Sequence, residues 1–103
     1  MDKFIILLTC SGGGLSAELR RRVLESNRYN IKIVAVDSKD RASARIFSNY
    51  FSLVPNGTDK NYVDSIKKLV LKHKVNMVIP CSDEEALSLS EKREKIERNG
   101  CIL

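Results

Sequence analysis

The stretch that decides the fold is FIILLTCSGGGL, residues 4–15. It opens with an apolar run that includes β-branched residues and closes with a serine, three glycines and a leucine. An unbroken apolar run of this kind is typical of a strand buried on both faces of a parallel sheet. After the glycines, Leu15, Leu19 and Val23 recur at helical spacing. The stretch therefore predicts a strand, a glycine loop and a helix.

The alternation of strand and helix continues along the chain. Apolar strands are predicted at residues 31–36, 51–54 and 76–80, and a fifth begins at Cys101. A turn at Pro55-Asn56-Gly57 leads to a helix that we expect to be capped by Thr58 or Asp59. Its predicted core stripe consists of Tyr62, Val63, Ile66, Leu69 and Val70.

Two further helices are predicted after the fourth strand. Ser82 and Glu85 have the S-x-x-E spacing of a capping box at the start of the first. A very polar helix is predicted at 91–99, and Gly100 is well placed to end it.

Four strand–helix repeats predict an α/β, three-layer Rossmann-like domain with a parallel sheet of four to five strands. At 103 residues the whole chain, 1–103, is predicted to form this single domain. The usual doubly wound connections give the strand order 3-2-1-4(-5). The order reverses between the first and fourth strands, so the loops Cys10–Gly14 and Cys81–Glu84 should face each other there. We expect a ligand crevice at that point.

The net charge of +5 raises the question of nucleic acid binding. The basic residues are spread over three predicted helices, around Arg20–Arg22, Lys67–Lys74 and Lys92–Arg98, and no aromatic residues interleave with them. We therefore expect no nucleic acid partner.

No apolar run reaches the roughly 20 residues that span a membrane. The first run also lacks a small residue for signal cleavage, because it ends at Thr9. We expect no membrane association and a cytoplasmic protein.

The sequence gives little indication of a metal site or of disulfide bonds. The three cysteines form no C-x-x-C pair, and His73 is the one histidine. Cys10 and Cys81 each follow an apolar strand and are interpreted as small residues at strand ends. We predict no metal site and no catalytic residue.

The sequence of the glycine loop is compatible with more than one ligand and with a purely structural role. Gly12, Gly14 and Ala17 match the G-x-G-x-x-A spacing of dinucleotide-binding loops, and Asp37 ends the second strand where a ribose-binding acid belongs. Glycines at a helix start also suit contact with a phosphate or carboxylate. The structural alternative is a tight corner between strand and helix. A P-loop and a nucleophile elbow are excluded, since no Gly-Lys-Ser/Thr and no G-x-S-x-G occur here.

The second loop carries Asp83, Glu84 and Glu85 directly after Ser82. Acidic residues at a helix start are favourable with the helix dipole, so capping alone explains them. The functional alternative is that Asp83 or Glu84 faces the crevice and binds a cationic or hydroxyl group of a substrate.

Four segments together resemble the N-terminal, pre-ATP-grasp domain of ATP-grasp ligases related to the carbamoyl-phosphate synthase large subunit. They are ILLTCSGGGL at 6–15, VDS at 36–38, VPNG at 54–57 and VIPCSDEE at 78–85. The last is similar to the IP-T-x-D-E turn of that group. Each segment alone is a weak signal, and their order and spacing together are more specific.

The resemblance implies a substrate-side domain of an ATP-dependent carboxylate–amine ligase. Such enzymes activate a carboxylate as an acyl phosphate with MgATP and pass it to an amine. The substrate-binding residues that it implies here are Ser11, Gly12, Gly13, Gly14, Ser82, Asp83 and Glu84. The residues that hold ATP and Mg²⁺ belong to later ATP-grasp domains. We therefore expect an N-terminal fragment of a longer protein, with no cofactor of its own and no activity alone.

Two other hypotheses stay open. The first is a small NAD(P)- or nucleotide-sugar-binding module that uses Gly12, Gly14 and Asp37. The second is a regulatory or interaction domain without a catalytic partner. A truncated domain would also expose a surface that is normally covered, which would favour a homodimer.

Overall fold

The computed structural model of the protein describes residues 3–9, 18, 21, 22, 25, 30–40, 48–98 and 100–103. Helical backbone is seen at positions 18, 21, 22 and 25, within the segment predicted to be a helix after the glycine loop. The predicted loop residues Ser11, Gly12, Gly13 and Gly14 lie outside the described residues.

The sheet contains four parallel strands: β1 (Phe4–Leu8), β2 (Ile31–Asp37), β3 (Tyr50–Leu53) and β4 (Met77–Ile79). Their order is β3-β2-β1-β4, as predicted. A parallel bridge joins Met77 to Ile102, so the end of the described chain lies beside β4 where a fifth strand was expected. The order reverses between β1 and β4, which confirms the predicted switch point.

The two central strands, β1 and β2, bury both of their faces. Leu7, Val34 and Val36 belong to one apolar cluster, whereas Ile6 and Leu8 belong to a second. Alternate side chains of one strand point to opposite faces, so the continuous apolar run of β1 supplies both clusters. This confirms the prediction of a buried strand at residues 4–9, of which Phe4–Leu8 are in the strand in the structure.

Three helices pack on one face of the sheet: α1 (Tyr62–His73), α2 (Asp83–Glu91) and α3 (Arg93–Glu97). Their buried residues belong to the same cluster as Leu7 and Val34, namely Tyr62, Val63, Ile66, Val70, Leu89 and Ile96. The predicted core stripe of α1 is confirmed, with Leu69 only partly buried against the cluster. We call α1, α2 and α3 the helical layer.

The predicted cap of α1 was wrong. The helix begins at Tyr62, its N-cap is Asn61, and no side chain caps it. The Asp59 carboxylate instead accepts a hydrogen bond from the Asn61 backbone N–H at 2.7 Å. Asp59 therefore closes a local turn ahead of the helix, which is the competing use of a short acidic side chain.

The bounds of the last helix also differ from the prediction. The predicted 91–99 helix is interrupted at Lys92, whose backbone (φ −124°, ψ 34°) is not helical, and α3 runs only from Arg93 to Glu97. Gly100 ends this region as expected, because its φ is 87° and its N–H donates to the Glu97 carbonyl. None of the helices in the described ranges is long and apolar enough to span a bilayer.

Candidate functional site

A pocket of about 360 Å³ opens at the carboxyl edge of the sheet. Three of the described segments form its walls: the end of β2, the loop from β3 to α1, and the loop from β4 into α2. Parallel strands bring their carboxyl ends to one edge, which is where open α/β sheets bind ligands. The lining residues are Asp37, Ser38, Val54, Pro55, Asn56, Gly57, Tyr62, Ser82, Asp83, Glu84 and Glu85.

The β4–α2 wall is fixed to the end of β1 by Thr9. This residue follows β1 directly and is fully buried. Its Oγ1 accepts a hydrogen bond from the Cys81 backbone N–H at 2.9 Å, and its own N–H donates to the Ile79 carbonyl. Buried hydroxyls need such partners. Thr9 therefore determines where the chain leaves β4 and enters the pocket wall.

The start of α2 is a partial capping box. Ser82 is the N-cap, and its Oγ accepts a hydrogen bond from the Glu85 N–H at 3.4 Å. The Glu85 carboxylate does not complete the box and accepts a hydrogen bond from the Tyr62 hydroxyl at 3.0 Å. Tyr62 is 1% exposed, so its hydroxyl requires a partner inside the protein. Glu85 thus links the two helices that border the pocket.

The β3–α1 loop lies very close to the start of α2 at Gly57. A β-carbon on Gly57 would lie 2.9 Å from Glu85 Cγ and 3.2 Å from the Glu85 backbone N. The Gly57 carbonyl accepts a hydrogen bond from the Ser88 hydroxyl, one turn further along α2. Glycine is required here because two backbone segments meet, and these contacts fix the width of the pocket.

Asp37 forms the third wall, as the last residue of β2. It is 8% exposed, and its carboxylate accepts a hydrogen bond from the Lys39 N–H at 3.3 Å. The Asp37 carbonyl accepts from the Val54 N–H at 3.0 Å, which continues the β2–β3 ladder into the loop. This is the strand-end position that was predicted for it.

The pocket has a strongly acidic lining. Four carboxylates line it, from Asp37, Asp83, Glu84 and Glu85, and the described lining includes no lysine, arginine or histidine. Such a surface favours a cationic group or a hydroxyl donor and disfavours an anion. Within the described ranges, no group of three or more His, Cys, Asp or Glu side chains is arranged to hold a metal ion.

The structure brings together part of the predicted site. Ser82, Asp83 and Glu84 lie in one wall and Asp37 in another, so residues predicted for two different ligands share one pocket. Ligand binding by them stays a prediction. The predicted contribution of Ser11, Gly12, Gly13 and Gly14 falls outside the described residues.

Sequence reasoning missed the contribution of Ser38, Tyr62 and the segment 54–57 to the lining. The segment 54–57 was predicted to be a turn and to belong to the family resemblance, but it was not placed in the pocket lining. Its place directly after a strand was a usable signal, since every strand of a parallel sheet delivers its following loop to the same edge.

The two described cysteines, Cys81 and Cys101, do not contribute to the described lining of this pocket. Cys81 is half-buried, and its Sγ contacts the Ile79 carbonyl at 3.6 Å. Cys101 lies in the core, where burial raises the pKa of its thiol and the nearby Glu97 carboxylate adds to the effect. A thiol with a raised pKa is a poor nucleophile.

A comparison of the sequence with models of known protein families agrees with the Rossmann-like fold. The model of the family described as "PylC-like, N-terminal domain" matches residues 6–103, which include all four strands except the first two residues of β1. No curated protein matches the chain. The chain belongs to the PylC-like N-terminal domain family, a pre-ATP-grasp domain of ATP-grasp ligases.

Proposed function

We propose that this domain is the substrate-side part of an ATP-grasp carboxylate–amine ligase, and that its pocket holds the amine. The observation that carries the proposal is the lining of the pocket, with four carboxylates and no described basic side chain. Of the two substrates of such a ligase, the carboxylate would be repelled by this surface and an ammonium group attracted.

The arrangement of the walls supports this choice. Asp83 and Glu84 are exposed at the mouth of the pocket, whereas Asp37 and Glu85 are more deeply placed and already accept hydrogen bonds from Lys39 and Tyr62. The exposed pair is therefore the better candidate for direct contact with the amine. Asp37 and Glu85 shape the pocket and add to its negative field.

ATP and Mg²⁺ are assigned to partner ATP-grasp domains. MgATP supplies the phosphoryl group that activates the carboxylate. The acidic lining does not suit triphosphate, and the described lining includes no lysine that could bind its phosphates. On the sequence resemblance, we propose a relationship to the carbamoyl-phosphate synthase large subunit.

The test is a titration followed by ¹H–¹⁵N NMR with two small probes, n-butylammonium and butyrate. They have similar chains and opposite charges. The ammonium probe should shift the amide resonances of Asp37, Asp83 and Glu84 with saturation, and butyrate should leave them unchanged. The reverse preference would overturn the assignment of the pocket to the amine.

A second arm separates the ligase from the dinucleotide-binding alternative. That alternative rests on Asp37, which lines the pocket at the end of β2. NAD should cause no saturable shift in the wild-type chain. Micromolar binding of NAD that is abolished by Asp37→Ala would replace the ligase proposal with a dinucleotide-binding function.

A further inference from the structure

The outer face of α1 carries an exposed leucine inside a ring of lysines. Leu71 is 50% exposed. Three lysines border this leucine on the helix surface. Lys67 lies four residues before it, Lys68 lies three residues before it, and Lys74 lies three residues after it. Shallow grooves of about 260 and 410 Å³ flank Leu71, which lines both. We call this the basic patch.

The outer face of α2 has the opposite charge pattern. Leu87 is 61% exposed, the highest value among the described large apolar residues. Asp83 and Glu84 lie four and three residues before it, and Glu91 lies four residues after it. All three carboxylates are exposed. We call this the acidic patch.

Neither patch is neutralised within the described part of the chain. The ion pairs there join Arg21 and Arg22 to acids of their own helix, Arg93 to Glu97, and Lys95 to Asp64. None involves a lysine of the basic patch or a carboxylate of the acidic patch. The pair with Lys95 also occupies Asp64, the acid nearest to the basic patch on α1.

The two patches lie on the same side of the molecule. Both helices bury their other face in one apolar cluster, so Leu71 and Leu87 project from the outer surface of the helical layer. A two-fold rotation about an axis between the helices would place α1 of one copy on α2 of the other, and the reverse contact would form at the same time.

We infer that the helical layer is a homodimer interface, in which the basic patch of each copy binds the acidic patch of its partner. A second copy is the occupant that the charges specify. A nucleic acid would match the lysines but be repelled by the carboxylates beside them. In such a dimer, each patch of one copy faces a leucine that is bordered by opposite charges on the other copy. Leu87 of one copy can enter a groove beside Leu71 of the other. The acidic patch shares Asp83 and Glu84 with the lining of the pocket, but the inferred contact does not require an amine to bind there.

The test uses charge reversal in two variants and sedimentation equilibrium. Lys67→Glu/Lys68→Glu makes both patches acidic, and Glu84→Lys/Glu91→Lys makes both basic. The wild type should approach twice the 11.6 kDa mass of one chain at high concentration. Added salt should weaken this association. Each variant alone should associate at least about tenfold more weakly, because like charges then meet.

An equimolar mixture of the two variants should restore the dimer, since both contacts of that heterodimer are again complementary. Lys3→Glu/Lys39→Glu reverses two exposed lysines away from the helical layer and should leave the dimer intact. Circular dichroism establishes that each variant is folded.

Three outcomes would overturn the inference: a monomeric wild type, folded variants that dimerise as well as the wild type does, or a mixture that stays monomeric. A monomeric chain that binds heparin through Lys67 and Lys68 would instead assign the basic patch to a polyanion.

Discussion

Tyr62 connects the core of this protein to its pocket. Its ring is part of the apolar cluster under the helical layer, and its hydroxyl donates to Glu85, 23 residues further along the chain. A tyrosine can serve both purposes because its polar atom lies at the far end of an apolar ring. The residue therefore helps to fix α1 against the start of α2 through this hydrogen bond.

Tyr62→Phe removes that donor and leaves the ring in place. We expect the free energy of unfolding to fall by about 1–3 kcal/mol, since the partner is a carboxylate and is left without this donor. Urea denaturation measures it, and Tyr50→Phe is the matched control because the Tyr50 side chain is largely exposed. Equal stability of the two variants would contradict this role of Tyr62.

Gly57→Ala tests the close approach of the two pocket walls. The new β-carbon would lie within 3.3 Å of the Glu85 backbone, which cannot move without shifting α2. A cost of about 1–3 kcal/mol is expected from this overpacking. Asn56→Ala, at the exposed neighbouring position, should change stability by less than about 0.5 kcal/mol. Thermal denaturation distinguishes them, and an unchanged melting temperature for Gly57→Ala would show that the walls are not in contact.

His73 gives stability a dependence on pH. Burial lowers the pKa of its imidazole from the ordinary value of 6.5, and the Lys72 ammonium adds to the effect. The unfolded chain therefore binds more protons near pH 6.5, so the free energy of unfolding should fall as pH drops through 6.5 and level off below the folded pKa. His73→Gln should remove this change.

The protein has one histidine, so its C2–H resonance reports this titration directly by NMR. A pKa in the folded protein at or above that of the urea-unfolded chain would contradict the expected sign.

Among the elements, the ends of β1 and β4 are joined by the hydrogen bond from the Cys81 N–H to the Thr9 hydroxyl. The two residues are 72 positions apart in the chain. Thr9→Val keeps the shape of the side chain and removes the acceptor. The part-buried Cys81 N–H would then lose this acceptor, at a cost of about 1–3 kcal/mol. Thr58→Val, at an exposed position, provides the comparison. Urea denaturation that gave the two variants equal stabilities would show that the hydroxyl does not hold the loop.

The strands were the elements that sequence predicted best. Their apolar runs at 4–9, 31–36, 51–54 and 76–80 each lie within about one residue of a strand in the structure. Buried parallel strands have a strong signal because both faces are apolar. The start of α1 was misplaced because Asp59 suits a helix cap and a turn equally well, and local sequence does not decide between the two.

At the scale of the whole molecule, the strand order and the edge that carries the pocket followed from general rules of connection. The shape of the pocket did not, because it depends on contacts between distant segments. Gly57 and Ser88 are 31 residues apart, and nothing in either segment alone indicates that they meet. Family membership then identifies the chain as an N-terminal domain of the kind that occurs in ATP-grasp ligases.

We propose above that the exposed carboxylates of this pocket, Asp83 and Glu84, bind an amine. Titration of n-butylammonium into Asp83→Asn/Glu84→Gln, followed by NMR, tests it most directly. Loss of both charges should weaken binding by about twofold to thirtyfold, since an ion pair at an exposed site contributes about 0.2–1 kcal/mol and two are removed. Glu91→Gln, on the same helix and outside the pocket lining, should bind the probe as the wild type does. Equal affinity in all three proteins would contradict the account.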